Sequence, residues 1–187
     1  MVNLLRFLRH PINVGLGISR EDMASAKQNQ TLEAGQRAPD FKLQELSGGQ
    51  WTLKELLPGG PVLLTFFKVS CPTCQLTLPY LERIYKSLAD GRARMFAISQ
   101  DDAEATREFH KEFGITMPTL LDSARQNYPA SNAYGLTNVP SMFLIERDGT
   151  ISWSLVGFSK KDIEKLGGIL GVNSFRPGEN VPEWKGG

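Results

Sequence analysis

Apolar and polar residues follow three different rhythms along this chain, and each rhythm predicts a different element. Phe41, Leu43 and, less regularly, Leu46 lead into Ser47-Gly48-Gly49, and Trp51 and Leu53 follow it. A period of two around a glycine turn predicts an N-terminal β-hairpin. Leu53 to Leu57 suits one helical turn, stopped by Pro58-Gly59-Gly60-Pro61. Val62 to Phe67 is an apolar run between turn residues and cysteines, which predicts a central strand buried on both faces. Beyond Pro72 the rhythm becomes helical through Leu78, Leu81, Ile84, Tyr85 and Leu88, with Pro72 suited to the first turn and Pro79 expected to kink the helix.

A second buried strand is expected between Arg92 and Ser99. Asp101-Asp102 then precede a helix with Ala105, Phe109 and Phe113 on one face, stopped by Gly114. A short strand near Leu120-Leu121 and a short helix from Ala130 to Tyr134 follow. Met142 to Ile145 and Ile151 to Val156 form a hairpin around Asp148-Gly149, with Ile151, Trp153 and Leu155 expected on one face. The last helix opens on Ser159 and Asp162, a capping-box spacing, carries Ile163, Leu166 and Leu170, and ends at Gly171. Strand, helix, strand, helix, hairpin and helix in that order describe an α/β domain with a mixed sheet. The domain is expected over residues 31–172. Residues 1–30 read as an arm closing in a linker from Ser25 to Gln30, and residues 173–187 as an irregular or frayed tail.

Composition adds constraints. A chain of 187 residues with 41% hydrophobic and 22% charged residues is long enough for one well-buried core. Lys plus Arg is 21 against 20 for Asp plus Glu, and a net charge of +1 gives no footprint for gripping nucleic acid. The longest charge-free stretch, Gln126 to Ile145, is broken by Pro129, Gly135 and Pro140, so it does not predict a membrane span. In the arm, Arg6 and Arg9 interrupt Leu4, Leu5, Phe7 and Leu8, which excludes a signal peptide. A loosely docked arm is the plain reading of those residues, and an amphipathic helix touching a membrane surface through residues 1–10 is the alternative.

The only cysteines, Cys71 and Cys74, stand two residues apart. Such a pair serves redox chemistry or supplies half a metal site. Four ligands are needed for zinc or an iron-sulfur cluster, and the only histidines are His10 in the arm and His110, read as a solvated residue on a helix face. No metal or other cofactor is therefore expected. With Cys71 where a strand gives way to a helix, its sulfur meets unpaired N–H groups and the positive end of the helix dipole, which favour the thiolate. Cys71 is the expected nucleophile. Cys74, one turn on and less exposed, is the expected resolving thiol.

Phe66-Phe67 before Cys71-Pro72-Thr73-Cys74, Pro79 five residues further, and Val139-Pro140-Ser141 before Met142-Phe143-Leu144-Ile145 together resemble the thioredoxin superfamily. The leader Gly35-Gln36-Arg37-Ala38-Pro39-Asp40-Phe41 and the Glu146-Arg147-Asp148-Gly149 hairpin narrow the resemblance to its redoxin or TlpA-like branch, related to the AhpC/TSA proteins. The resemblance covers about residues 35 to 170. It implies a thioredoxin-like fold, a cis peptide at Val139-Pro140 facing the cysteines, and pairing of the Val139 backbone with an extended substrate segment. It implies thiol-disulfide exchange with a protein disulfide or dithiol, more as reductase than oxidase, with an upstream thiol reductant as second partner. Potentials in such proteins span about −270 to −120 mV, or ~7 kcal/mol, so direction does not follow from the fold.

Three departures matter. Thr65 stands where thioredoxins carry a buried Asp, Thr77 where some TlpA-like proteins carry a Glu, and Ser70 where a Trp is usual. No acid is thereby identified to take the Cys74 proton. Lys68, three before Cys71, reads more simply as a solvated lysine than as a charge tuning the thiol. Two rival functions follow from the same residues: a peroxiredoxin-like peroxidase using Cys71, and a non-catalytic thioredoxin-fold binding module using the Pro140 surface. Against the first, a Pro-x-x-x-Thr/Ser-x-x-Cys pattern is missing, with Leu64 and Lys68 in its places. The cytoplasm is the expected compartment, with an extracytoplasmic, membrane-tethered location as the alternative.

Overall fold

The computed structural model describes residues 30–187 except Asp90. The arm expected over residues 1–30 lies outside the described residues apart from Gln30. The hairpin comes first, β1 Lys42–Glu45 and β2 Gln50–Thr52. A single turn, α1 Leu53–Leu56, follows, its capping box formed by Thr52 and Glu55. Then come β3 Val62–Phe67, α2 Pro72–Ser87, β4 Arg94–Ser99, α3 Ala103–Phe113 and β5 Thr119–Leu121. The chain continues through α4 Pro129–Ala133, β6 Ser141–Ile145, β7 Ile151–Val156, β8 Phe158–Ser159 and α5 Lys160–Leu170, and reaches β9 Trp184–Lys185.

Among the described residues seven strands form one mixed sheet in the order β2-β1-β5-β4-β3-β6-β7, with β3-β4 and β4-β5 parallel and the other pairs antiparallel. This is the expected α/β architecture with a central mixed sheet, flanking helices and an N-terminal hairpin. The crossovers β3-α2-β4 and β4-α3-β5 step the same way across the sheet, so right-handed connections place α2 and α3 on one face. There Cys74, Leu78, Leu81 and Ile84 of α2, Phe109 of α3 and Ile163, Leu166 and Leu170 of α5 pack against Leu63, Phe67, Met95 and Ala97. The opposite face buries Leu53 and Leu56 of α1 and Ala130 of α4 against Leu64, Phe66, Phe96, Ile98 and Phe143. Every residue of β3 is buried, as its apolar run predicts for a strand covered on both faces.

Four details differ from expectation. A register shift at Leu144/Ile145 interrupts the β6–β7 hairpin, so Ile151 and Trp153 join opposite core faces instead of sharing one. In α3 the buried positions are Thr106 and Phe109, with Ala105 only half-buried, because the Thr106 hydroxyl is satisfied by Asp102 O (2.6 Å) and paired with Ser99 Oγ (2.7 Å). His110 is not a solvated surface residue: it is half-buried, with Nε2 3.0 Å from Thr119 Oγ1, and burial lowers its pKa. The segment after Asn173 is irregular for most of its length yet not frayed. Val181 is buried, Arg83 makes a two-point ion pair with Glu179 (2.7 and 2.8 Å), and β9 pairs with β8. Helix α2 runs on through Pro79 to Ser87. Among the described residues no helix is long and apolar enough to cross a membrane.

Candidate active site

The carboxyl end of β3 delivers the chain to a short loop, and side chains from two other segments hold that loop. Phe67 O accepts the Gln100 N–H (3.0 Å), while the Asp101 carboxylate accepts the Val69 N–H (2.7 Å). Gln75 Nε2 donates to Val69 O (3.0 Å), and the Cys71 N–H turns back to Lys68 O (3.1 Å). Cys71 thus becomes the N-cap of α2, in extended backbone geometry, with Pro72 as the first helical residue. A helix start leaves donors without intrahelical acceptors, and here the cysteine sulfur takes the role usually filled by a Ser or Asp oxygen. Cys71 Sγ accepts the Cys74 N–H at 3.3 Å.

The two thiols sit in different surroundings. Cys71 is half-buried, whereas Cys74 is fully buried among the packed side chains of α2 and the sheet. Burial pushes the Cys74 thiol well above its ordinary value of 9.0, an effect to which the Asp101 charge adds. Both cysteines are free. Opposite Cys71, the loop before β6 contributes Val139 O, which accepts the Cys71 thiol proton at 3.3 Å. The Val139-Pro140 peptide is cis, as the resemblance implies, and Pro140 is buried with its carbonyl bound to Gly157 N–H (2.8 Å). The structure therefore brings Cys71, Cys74, Val139 and Pro140 together, although 64 residues of chain separate the thiols from the loop.

Lys68 is exposed, in keeping with the solvated reading. Thr77 donates its hydroxyl to Thr73 O (2.7 Å), and Thr73 donates to Gly186 O. Thr65 is fully buried, and its hydroxyl has no hydrogen-bond partner among the described residues. Two contributors escaped the sequence reading. Local sequence marks Asp101 only as lying ahead of a helix, and its hold on Val69 depends on β3 and β4 ending side by side. Residues 185–187 lie across the start of α2, where Lys185 Nζ reaches Pro72 O (3.3 Å) and Asn138 Nδ2 donates to Gly187 O (3.1 Å). Among the described residues no cluster of His, Cys, Asp or Glu could hold a metal ion.

Residues 34–154 match the AhpC/TSA family. The thiol-disulfide oxidoreductase ResA of Bacillus thuringiensis (strain Al Hakam) is 28% identical over 140 residues, covering 74% of this chain and 78% of ResA. Among solved structures, a thiol:disulfide interchange protein DsbE from Chlorobium tepidum, itself described as putative, superposes with a TM-score of 0.61 at 25% identity, covering 74% of this chain and 96% of that one. The thioredoxin domain of a thiol-disulfide oxidoreductase from Bacteroides vulgatus superposes with a TM-score of 0.66 at 20% identity, covering 75% and 99% of the two chains, a likeness of fold.

Proposed function

The chain belongs to the AhpC/TSA family, and on that footing we propose that it is a thiol-disulfide oxidoreductase whose Cys71-Cys74 pair exchanges with disulfides of other proteins. One observation carries the reading: Cys71 Sγ, half-exposed at the N-cap of α2, receives the N–H of Cys74, whose own thiol is buried one turn along. The Cys71 thiolate attacks a substrate disulfide, its S–S bond breaks, and the departing sulfur takes up a proton. The Cys74 thiolate then attacks Cys71 sulfur in the mixed disulfide, and the second substrate thiol leaves. Two electrons pass from the dithiol to the substrate, and an upstream thiol reductant restores Cys71 and Cys74. Working as a reductase, the pair begins each cycle in the dithiol form.

The division of labour follows from burial. An incoming disulfide can reach Cys71, while Cys74 reaches only the sulfur already attached to Cys71. Replacing Cys74 by Ala should trap a mixed disulfide through Cys71 with a disulfide-bonded test protein, visible by non-reducing electrophoresis and mass spectrometry. Replacing Cys71 by Ala should trap none. Failure of the Cys74→Ala chain to form an adduct would overturn the proposal. Hydrogen peroxide consumption should be negligible beside protein-disulfide turnover, since buried Leu64 stands at the proline place of the peroxidase pattern and exposed Lys68 offers no hydroxyl at its Thr/Ser place.

A further inference from the structure

The end of the described chain lies beside Cys71 and on Val139, whose backbone the thioredoxin resemblance implies pairs with an extended substrate segment. Beyond buried Val181, the chain runs past Glu183, whose carbonyl accepts the Lys160 N–H (3.0 Å), and pairs as β9 with β8, Lys185 opposite Phe158 and Trp184 opposite Ser159. It then crosses the N-terminus of α2, where Gly186 O accepts the hydroxyl of Thr73, the residue between Pro72 and Cys74. Gly187 lies against Val139, so close that a Cβ placed on it would stand 2.6 Å from Val139 O. That carbonyl is the one bonded to the Cys71 thiol. The approach needs bare backbone on both sides: a Cβ on Gly157, at φ +79°, would stand 2.8 Å from Lys185 O.

We propose that residues 184–187 form a strap held where an extended substrate segment docks, so that exchange with a peptide disulfide requires the strap to lift. The inference rests on the thiol-disulfide reading. Extended substrates add to sheet edges through main-chain hydrogen bonds; the strap pairs in that way with β8, and its Gly186 and Gly187 carbonyls accept the Thr73 hydroxyl and the Asn138 side-chain amide. Its attachment past Val181 is superficial. Trp184 is 70% exposed, and the contacts that follow are mostly single hydrogen bonds at the surface. Segments with few buried apolar contacts open at the low end of the free-energy scale. A closed strap reduces the fraction of molecules competent for a long substrate and raises the apparent dissociation constant in proportion. Half-exposed Cys71 remains open to small disulfides.

The test compares the full chain, a chain ending at Glu183, and Gly187→Ala, which crowds Val139 without removing any strand pairing. The probes are a synthetic peptide in mixed disulfide with glutathione, and oxidised glutathione itself. Removing residues 184–187 should raise kcat/KM for the peptide about tenfold through KM, with less than about a twofold change for oxidised glutathione. Gly187→Ala should fall between the two chains. On the full-length Cys74→Ala chain, attaching the peptide to Cys71 should deprotect the amides of residues 184–187 in hydrogen exchange. Equal peptide kinetics in all three chains, slower turnover by the shortened one, or unchanged protection would overturn the strap while leaving the dithiol chemistry standing. Absence of exchange from every chain with both probes would overturn the functional reading and the strap with it.

Discussion

Three threonines near the dithiol show how much a single hydroxyl depends on its neighbours. Thr77 spends its proton on Thr73 O and Thr73 on Gly186 O, while Thr65 spends its proton on nothing among the described residues. The period of two along β3 puts Thr65 on the face of Leu63 and Phe67, which pack in one cluster with Cys74. A buried hydroxyl without a partner costs about 1–3 kcal/mol, and an apolar side chain of the same shape escapes that cost. Thr65→Val should therefore stabilise the fold by about 1 kcal/mol, measured by urea denaturation. Unchanged or lower stability would show that the hydroxyl is satisfied. Sequence could mark Thr65 as a departure from the resembled pattern, but whether its hydroxyl is bonded depends on three strands meeting, β3 between β4 and β6.

Among the elements, α2 and α4 begin in opposite ways. The start of α2 was legible because a cysteine followed by proline after a buried strand is a local signal, and Cys71 caps the helix with its own sulfur. Helix α4 is five residues long, and its N-cap, Tyr128, holds φ at +50° and makes no side-chain cap. Asp122, at the end of β5, supplies the acceptor instead. Its carboxylate takes the N–H of Ala130 (3.0 Å), the N–H of Ser131 (2.7 Å) and the Ser131 hydroxyl (2.6 Å) while fully buried. Asp122→Ala strands those donors and should cost about 3 kcal/mol in chemical unfolding, with Asp122→Asn recovering part of it. A loss below about 1 kcal/mol would mean that α4 holds its start unaided. No capping rule looks eight or nine residues upstream, so this contact stays invisible until the loop has closed.

At the level of the whole molecule, acid should loosen the junction where α2 and α3 meet the start of β5. Glu82 is 3% exposed. Its burial opposes charge, but hydrogen bonds from Thr116 and the Met117 N–H and the Lys86 ammonium at 3.1 Å outweigh that, holding its carboxyl below the ordinary 4.5. Its stabilisation is present above that value and is lost as pH falls through the lowered one. His110 is lowered from 6.5 by burial, with the Glu82 charge pulling the other way. The fold favours the neutral ring, so its contribution is complete above 6.5 and drains away below it. Urea midpoints taken between pH about 8 and about 3 should be level at first, decline below 6.5, and decline again below 4.5. In Glu82→Gln the second decline should shrink; an unaltered profile would assign the acid sensitivity to other carboxylates.

Local pattern was enough to place the strands of the main sheet, the helices, the hairpin turns and the dithiol at a helix start, because those features follow from side-chain period and from what Gly and Pro allow over a few residues; it did not place β8 or β9. The arrangement of the site around that dithiol was decided by the folded chain. Val139 O reaches Cys71 only because β6 lies beside β3, and the Leu144/Ile145 register shift divides Ile151 from Trp153 in a hairpin whose alternation looked regular. The tail is the clearest case: two prolines and two closing glycines read locally as an irregular or frayed end, yet Gly186 and Gly187 lie against Thr73 and Val139. Short-range conformational preference is written residue by residue, whereas a backbone surface that accepts another strand comes into being only when distant segments are packed side by side.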